Sequence, residues 1–358
     1  MEQSIRIGLD TSKLLFQLHG VNAQEHPVLR RALRRGQVLA FFARHPPTRV
    51  ALEACGASHH WARELTRLGH AVRLIAPQLV KPYVRRGKSD AADAAALCEA
   101  ASRPTMRFVP VKTPEEQAAL MLAGQRTRLV RQRVQLANTI RGHAGEFGIV
   151  AAKGAAAIGP LLIGLRTAEI PDLARALFAE MEAEYAALCA RIAAIDRRMR
   201  AWYGQSEPAR RLSAIPGVGP LIASLLVMKT PEPRLFASGR DYAAWLGLTP
   251  KNHSTAGKTR LGGITRAGDP MLRSLLVVGA TAIVWRVRRS QSGADQGGVD
   301  QGGVDQNGAD HPRLQAWVQA LLTRKPAKLV AVALANKIAR IAWKLMLSGE
   351  RYRMPAAA

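Results

Sequence analysis

The sequence has few acidic residues for its length and few cysteines. It contains 26 Asp plus Glu against 52 Lys plus Arg, a formal net charge of +26 over 358 residues. So large an excess of positive charge is typical of proteins that bind a polyanion, most often nucleic acid. The three cysteines, Cys55, Cys98 and Cys189, form no C-x-x-C pair and are odd in number. This argues against both a disulfide framework and a zinc site.

A secretion leader and a long uninterrupted apolar run are also lacking. The first residues, M-E-Q-S, lead directly into a strand pattern, so we expect no secretion signal and a cytoplasmic, nucleoid-associated protein. The longest apolar stretch, residues 326–348, is interrupted by Lys337, Arg340 and Lys344. It predicts an amphipathic basic helix, and no membrane is expected as a partner.

Residues 1–110 alternate strand and helix patterns, which predicts an α/β domain. Residues 5–10 read I-R-I-G-L-D, and residues 48–54 read T-R-V-A-L-E-A. Each run predicts a strand that carries an acid, Asp10 or Glu53, to its C-terminal end. Residues 15–20 predict a partner strand for the first.

Two more acids follow on a predicted helix. Asp90 and Asp93 begin an Ala-rich stretch for which Ser89 is a suitable N-cap, and their i, i+3 spacing puts them on one helix face. Oxygen ligands from separate elements, without His or Cys, are what Mg²⁺ or Mn²⁺ binds. The sequence therefore predicts Asp10, Glu53, Asp90 and Asp93 as metal ligands, and two ions about 4 Å apart could flank a scissile phosphate.

Each acid alone also has an ordinary explanation. Asp90 and Asp93 could be first-turn acids favoured by the helix dipole, and Asp10 could form an Asx turn. Glu53 is harder to explain, because an unpaired Glu in an apolar strand costs desolvation free energy. The order of the four acids along predicted strands and helix favours the metal site over these separate explanations.

Residues 111–205 predict a helical region with coiled-coil patterns. A capping sequence, Thr113, Pro114 and Glu116, precedes the first helix. Heptad-like seams follow on two helices, at Leu122, Leu129 and Leu136 and at Met181, Tyr185, Leu188, Ile192, Ile195 and Met199. The seams could pair within one chain or form a dimer interface. Candidate nucleic-acid contacts on the first helix are Arg128, Arg131 and Arg133.

Residues 206–350 predict a mostly helical C-terminal domain. Its I-P-G-V-G segment resembles a helix-hairpin-helix, in which Gly217 and Gly219 would let backbone N–H groups approach a phosphate. An ordinary turn between helices is the alternative. Residues 292–310 hold an imperfect repeat, G-A-D-Q-G and G-V-D-Q-G, which predicts a flexible acidic linker with no catalytic role.

Two small hydroxyl residues, Ser254 and Thr255, lie in a Gly-containing basic segment between residues 247 and 273. The candidate phosphate-binding side chains around them are Lys251, His253, Lys258, Arg260, Arg266 and Arg273. A hydroxyl among cations can be a phosphate ligand or a nucleophile, and the pattern alone favours binding.

Several motifs occur in one order over nearly the whole chain: G-L-D-T-S-K, L-E-A-C-G, K-S-D-A-A-D-A, I-P-G-V-G, the G-L-T-P loop with its serine, and G-D-P-M-L-R. This order resembles the bacterial insertion-sequence transposases that combine an N-terminal RuvC-like DEDD domain with a C-terminal serine-bearing transposase domain. These are the bridge-RNA-guided class, and the subgroup with an H-S-T-x-G-K loop is the most similar.

The resemblance implies a ribonuclease-H-like domain that binds Mg²⁺ through Asp10, Glu53, Asp90 and Asp93. It also implies a nucleophilic serine that forms a phosphoserine link to DNA, and a structured non-coding RNA that selects donor and target DNA. The serine is assigned to Ser254, with Thr255 as the alternative in register. A homo-oligomer, a dimer or tetramer, is expected.

Three other functions remain as alternatives. A RuvC-like junction endonuclease would use water as the nucleophile and its C-terminal part only to hold DNA. An actin-like sugar or acetate kinase would share the G-x-D strand but needs an adenosine site and seldom has this charge. A non-catalytic nucleic-acid-binding protein would leave the four acids unexplained.

Overall fold

The computed structural model describes residues 4–84, 89–291 and 312–352. The acidic repeat at residues 292–310 lies outside the described residues. The chain forms two compact units, residues 1–117 (unit 1) and residues 118–358 (unit 2).

Unit 1 is built around a mixed sheet covered by short helices. Its strands are β1 (Arg6–Thr11), β2 (Leu15–Val21), β3 (Pro27–Arg34), β4 (Arg49–Glu53), β5 (Ala71–Ile75) and β6 (Phe108–Val109). Its helices are α1 (Val38–Arg44), α2 (Ser58–Arg67), α3 (Pro77–Val80) and α4 (Asp90–Ala100), with 3₁₀ turns at Arg35–Gln37 and Lys81–Tyr83.

The strand order in the sheet is β3-β2-β1-β4-β5-β6. Strand β1 pairs antiparallel with β2 and parallel with β4, and β4 pairs parallel with β5. The strands predicted at residues 5–10, 15–20 and 48–54 are confirmed. The mixed sheet is compatible with the ribonuclease-H-like fold expected of a DEDD domain.

The two faces of β1 have different neighbours. Ile7 and Leu9 are fully buried in a hydrophobic cluster with Phe16 and Leu52. Because side chains alternate along a strand, Gly8 and Asp10 lie on the opposite face, the one against which α4 packs. One face of β1 thus belongs to the core and the other to the candidate site.

Unit 2 is mostly helical. Its helices are the C-terminal part of α5 (Pro114–Glu146), α6 (Ile158–Thr167), α7 (Asp172–Gln205), α8 (Glu207–Leu212), α9 (Pro220–Lys229), α10 (Gly239–Trp245), α11 (Pro270–Gln291), α12 (Pro312–Leu322) and α13 (Ala327–Ser348), with 3₁₀ turns at Ala155–Ala157 and Pro233–Leu235. Two short strands, β7 (Pro250–Asn252) and β8 (Leu261–Ile264), form an antiparallel pair.

The capping sequence predicted before α5 is present in the structure. The Thr113 backbone N–H donates to Glu116 Oε2 at 2.8 Å, and the Glu116 N–H donates to Thr113 Oγ1 at 3.2 Å. These reciprocal bonds form a capping box, which satisfies two backbone donors that a helix start leaves unpaired.

The seam residues of α5 and α7 pack within a single chain. Leu129 of α5 and Ile192 of α7 are buried in the same hydrophobic cluster of unit 2. The Nε of Arg126 donates to Asp196 Oδ1 at 2.6 Å, which joins the two helices by an ion pair. Leu129 and Ile192 are therefore buried within a single chain.

The I-P-G-V-G segment connects α8 to α9 and packs against α11. Gly217 has a φ of +76°, and a Cβ on Gly217 would lie 2.9 Å from the Gly279 carbonyl oxygen. A Cβ on Gly279 would lie 2.0 Å from the Gly217 carbonyl oxygen. The two glycines therefore allow backbone-to-backbone packing, a role for Gly217 that the sequence pattern did not indicate.

Helix α11 is, over Pro270–Ser290, long and apolar enough to cross a membrane by length and composition. Six of its residues are buried in the hydrophobic core cluster of unit 2: Leu272, Leu276, Ala280, Ile283, Val284 and Val287. One side of α11 thus packs in the core, whereas Val278 and Trp285 are exposed. Helix α13 is the amphipathic helix predicted over residues 326–348, with Leu334 and Ile338 buried and Arg340 and Lys344 exposed.

Candidate functional site

Two of the four predicted acids lie at the ends of adjacent parallel strands. The register pairs Leu9 of β1 with Leu52 of β4, so Asp10 and Glu53 are the next residues along the two strands. Both acids are half buried. Parallel strands end at the same edge of a sheet, which explains why two apolar runs so far apart in sequence deliver carboxylates to one place.

Glycine at position 8 lets α4 lie directly on β1. A Cβ on Gly8 would be 2.0 Å from the Ala94 carbonyl oxygen and 2.6 Å from the Cys98 nitrogen. At the other end of the contact, Arg6 Nε donates to the Cys98 carbonyl at 2.8 Å. Because only glycine permits this approach, the G-L-D motif sets the height of α4 above the sheet.

Helix α4 begins at the predicted cap. Ser89 Oγ accepts the backbone N–H of Ala92 at 3.2 Å, and Asp90 and Asp93 occupy the first turn. Ligand oxygens of Asp10, Asp90 and Asp93 lie within 4.8 Å of one another. Glu53 does not belong to this group of three by that distance.

Glu53 is nevertheless coupled to the other acids electrostatically. Burial, together with the charges of Asp90, Asp93 and Glu53, raises the pKa of Asp10 to about 6. Burial and the charge of Asp93 raise the pKa of Glu53. Crowded carboxylates disfavour each other's ionisation, and a cation is the simplest means of offsetting this.

The donor set fits a divalent metal ion. All four predicted ligands are carboxylates from three separate elements, the ligand chemistry that Mg²⁺ and Mn²⁺ prefer. Asp10, Asp90 and Asp93 converge closely enough to share an ion, with Glu53 at the next strand end.

Two residues beside the acids, Thr11 and Cys55, were not predicted as site residues, and Ser58 contacts the second of them. Thr11 Oγ1 lies 3.5 Å from Cys55 Sγ, and Ser58 Oγ donates to the Cys55 carbonyl at 2.9 Å. These contacts join the segments that follow β1 and β4, just beyond Asp10 and Glu53. The only sequence signal was their position directly after the acids.

The segment that carries the serine is an exposed β-hairpin, which we call the serine hairpin (residues 250–264). Between β7 and β8 the His253 N–H donates to the Arg260 carbonyl at 2.9 Å, and Thr255 and Lys258 form a further bridge. At its tip Ala256 and Gly257 have φ values of +47° and +78°. Positive φ at both central residues is the geometry of a two-residue type I′ turn, which accounts for the glycine.

Ser254 has a fixed side chain although it is exposed. Its backbone N–H donates to Asn252 Oδ1 at 2.9 Å, and its hydroxyl donates to the same oxygen. Ser254 Oγ also accepts the Arg260 N–H at 3.0 Å. The backbone of Thr255 pairs with that of Lys258. Of the two hydroxyl residues, Ser254 is the one whose side-chain oxygen is oriented by these hydrogen bonds.

The predicted cations around the serine have different environments. Lys251, His253, Lys258 and Arg260 are exposed on the serine hairpin, and Arg266 is exposed just beyond it. Arg273, in contrast, is half buried, and its Nη1 donates to the carbonyls of Leu246 and Gly268 at 3.1 and 3.0 Å. Arg273 therefore holds the loop at the base of the hairpin, a structural role that the sequence analysis missed.

The G-D-P motif forms the start of α11. Asp269 Oδ1 accepts the N–H groups of Met271 and Leu272, both at 2.9 Å, and Asp269 Oδ2 accepts Lys229 Nζ at 2.6 Å. A Cβ on Gly268 would lie 2.0 Å from the Trp245 carbonyl oxygen. Asp269 is thus the N-cap of α11 and has a charged partner in Lys229. The preceding residue must be glycine because a Cβ at position 268 would collide with the Trp245 backbone.

The remaining predicted contacts lie on helices. Arg128 and Arg131 are exposed on α5, and Arg133 is half buried near Tyr185 of α7. Gly219 is the N-cap of α9, and a Cβ there would meet no atom within 4 Å. Of Gly217 and Gly219 in the I-P-G-V-G segment, only Gly219 therefore has free space beside its Cα.

Comparisons with known proteins show the family of the chain. Residues 7–147 match the DEDD transposase domain of IS110 elements, and residues 209–295 match the family described as Transposase IS116/IS110/IS902. The chain is 60% identical, over 99% of its length and 87% of the relative's, to a putative transposase y4pF/y4sB of Sinorhizobium fredii. It is 47% identical to a probable family 20 transposase of Pseudomonas aeruginosa, over 97% and 98% of the two chains.

A third relative is the transposase for insertion sequence element IS1111A of Coxiella burnetii, 35% identical over 98% of this chain and 92% of that one. These matches define a transposase, an enzyme of DNA strand transfer with DNA as its partner. The chain belongs to the IS116/IS110/IS902 family of transposases. The prediction of a transposase with a DEDD domain is thereby confirmed.

Proposed function

We propose that this transposase cuts and rejoins DNA through a covalent phosphoserine intermediate formed on Ser254. The hydroxyl oxygen attacks a DNA phosphate, a P–Oγ bond forms, and the bond from phosphorus to the 3′ oxygen breaks. The serine proton leaves as the oxygen attacks, and the departing strand end takes up a proton to become a 3′-hydroxyl. That hydroxyl can later attack a phosphoserine on another strand, which conserves the energy of the broken bond.

The observation that carries this proposal is the orientation of Ser254 Oγ among exposed cations. Asn252 and the Arg260 N–H fix the hydroxyl at the stem of the serine hairpin. Exposed Lys251, Lys258 and Arg260 can bind the phosphate and stabilise the charge that develops on it. A serine that is oriented, accessible and surrounded by positive charge meets the requirements of a nucleophile toward a phosphodiester.

We further propose that Asp10, Asp90, Asp93 and Glu53 hold the divalent ion, Mg²⁺ or Mn²⁺, that the DEDD domain requires. Bound there, the ion would supply positive charge to phosphate oxygens at the reacting bond. The carboxylates themselves bind and orient it, and their crowding ensures that the site favours a cation when they are ionised.

The partners beyond DNA are proposals of the same kind. The net charge of +26 suits a large nucleic-acid surface, and the resemblance noted above supports a structured non-coding RNA as guide and a dimer or tetramer as the active form. Gly219, with open space at its Cα, is the proposed phosphate contact of the hairpin between α8 and α9. The paired seams of α5 and α7 are proposed to form a helical hairpin within each chain.

The experiment that tests the nucleophile compares Ser254→Ala with Thr255→Ala. Purified protein, guide RNA, labelled DNA and Mg²⁺ are combined, denatured and separated on a gel. Under these conditions the DNA label migrates with the protein only when the two are covalently linked. We expect an adduct with wild type and with Thr255→Ala, and none with Ser254→Ala. If Ser254 only binds phosphate, Ser254→Ala should instead lower the affinity for DNA by about 1 kcal/mol and leave cleavage intact.

Other results would change the assignment. Adduct lost only with Thr255→Ala would move the nucleophile to that residue. Cleavage without any adduct in wild type would contradict the phosphoserine mechanism and support water as the nucleophile, as in a junction endonuclease.

A further inference from the structure

A wide basic groove crosses unit 2 on the side of α13 that does not enter the core. It is lined by the start of α10, by α12, by α13 and by the residues that follow α13. Its volume is about 1190 Å³. Pockets for small molecules usually measure roughly 300–1,000 Å³, so the groove suits an extended ligand better than a metabolite.

Positive charge dominates the lining of this groove. Six cationic side chains line it: Arg240, Arg313, Lys337, Arg340, Lys344 and Arg351. Glu350 is the only acid among the lining residues. Throughout the described part of the chain, none of the six cations has a carboxylate partner within ion-pair distance. Some other cations of unit 2 do have such a partner, as Lys229 has in Asp269.

Three of these cations lie in a row on α13. Lys337, Arg340 and Lys344 are spaced i, i+3 and i+7, which puts them on one helix face over about 10 Å. The other face of the same helix is fixed in the core by Leu334 and Ile338. The helix that carries the row is therefore fixed in unit 2, and like charges spaced along one helix face are stabilised by a polyanion.

Two tryptophans, Trp317 and Trp343, line the groove together with the cations. The Lys337 ammonium lies 4.5 Å from the centroid of the Trp317 ring, and Trp343 Nε1 donates to the Pro233 carbonyl at 3.0 Å. A Cβ on Gly239 would lie 3.2 Å from both Trp343 and Arg340, so α10 packs tightly against this wall. Fixed indole rings within a basic groove are the features on which unpaired bases stack.

We propose that this groove binds an unpaired DNA strand, with the α13 cations on its phosphates and the two tryptophans against its bases. Strand transfer by a transposase exposes such a strand when duplex ends are separated and exchanged. The proposal rests on the DNA chemistry assigned above and adds the place where the displaced strand lies. It does not depend on Ser254, because the groove and the serine hairpin share none of their lining residues.

The test uses the full chain and a labelled oligo(dT) of about 20 nucleotides, longer than the roughly 4–16 nucleotides that one binding module covers. The variant R340Q/K344Q/R351Q removes three charges from the groove. The matched control R197Q/R198Q/R200Q removes three exposed charges from α7, outside it. Fluorescence anisotropy at several salt concentrations gives the dissociation constant and its salt slope.

We expect the groove variant to bind at least tenfold more weakly and to lower the slope of log K against log[salt] by about 2, since each single-strand phosphate contact contributes about 0.7. The α7 control should stay near wild type. Trp317→Leu should weaken binding about tenfold at an unchanged slope, because it removes stacking without removing charge. Circular dichroism melting confirms that each variant is folded.

Equal losses in the two triple variants would overturn the proposal, as would full affinity in Trp317→Leu. A loss confined to duplex DNA or to RNA of the same length would overturn the assignment to an unpaired DNA strand. The phosphoserine mechanism is tested separately. If it is wrong, wild-type protein forms no covalent adduct, but oligo(dT) binding and its dependence on the groove residues are unchanged.

Discussion

Gly8 of β1 and Ala94 of α4 are in direct backbone contact, so close that a Cβ on Gly8 would lie 2.0 Å from the Ala94 carbonyl oxygen. This contact sets the distance between the strand that carries Asp10 and the helix that carries Asp90 and Asp93. The candidate metal centre therefore depends on a residue with no side chain.

We predict that Gly8→Ala displaces α4 and lowers the free energy of unfolding by about 1–3 kcal/mol, the usual cost of overpacking. It should also abolish stabilisation by Mg²⁺. Urea denaturation with and without Mg²⁺ measures both effects. The control is Gly36→Ala, since a Cβ there would meet no atom within 4 Å. Equal behaviour of the two variants would show that the close approach is not needed.

The raised pKa of Asp10 leads to a pH-dependent prediction. A carboxyl whose folded-state pKa is about 6, above its ordinary 3.8, favours the folded state only while protonated, and this contribution is lost as pH rises through about 6. Without metal, Asp10→Asn should therefore melt a few degrees above wild type at pH 8, and the difference should vanish near pH 4. Partial exposure of Asp10 keeps the effect small.

Mg²⁺ should reverse that order at pH 8. A ligand that binds only the folded state stabilises it in proportion to the logarithm of its concentration over its dissociation constant. Wild type should gain melting temperature on titration with Mg²⁺, and Asp10→Asn should not. Equal gains in both proteins would place the binding of Mg²⁺ elsewhere.

Cleavage should fail when any ligand charge is removed. Asp10→Asn, Glu53→Gln and Asp93→Asn should each lower strand cleavage more than about 100-fold, because even partners of metal ligands typically contribute 10–100-fold. The matched control is Glu99→Gln on α4, whose side chain pairs with Arg103 instead. Activity of Glu53→Gln close to wild type would restrict the metal site to the three acids that lie within 4.8 Å of one another.

Much of unit 1 could be predicted because its signals are local. Strands that end in Asp10 and Glu53, and the Ser89 cap before Asp90, follow from alternation and capping rules applied to a few residues. The contact of Gly8 with Ala94 could not be predicted, since it joins residues far apart in sequence and leaves only a glycine as a trace. Gly217 and Gly279 illustrate the same limit in unit 2.

Unit 2 shows a second reason why sequence patterns are incomplete. Arg273 belongs to a basic segment and has the composition of a phosphate contact, but it donates to two backbone carbonyls. The serine hairpin was predicted only as a Gly-containing loop, because its strands are short and almost entirely exposed and so lack hydrophobic alternation. A run of basic residues in a sequence indicates a nucleic-acid-binding surface, but it does not show which of those residues face the ligand.

Asp269 provides a test of stability in unit 2. Asp269→Ala removes the cap of α11 and the partner of Lys229, and should lower the free energy of unfolding by about 2 kcal/mol. Although burial acts to raise the pKa of Asp269, hydrogen bonds from Lys229 and the backbone lower it overall. Its stabilising contribution is therefore present above pH 4 and lost at lower pH, where variant and wild type should converge in urea denaturation.

The exposed arginines of α5 yield the last prediction. Arg128 and Arg131 are exposed, whereas Arg133 is half buried near Tyr185, so the first two are the expected phosphate contacts. Arg128→Gln with Arg131→Gln should lower the salt slope of duplex DNA binding by up to about 2, at about 0.9 per contact, without changing which sequence is chosen. Arg133→Gln is the control and should leave the slope near wild type. An unchanged slope in the double variant would show that this face of α5 contacts protein instead of nucleic acid.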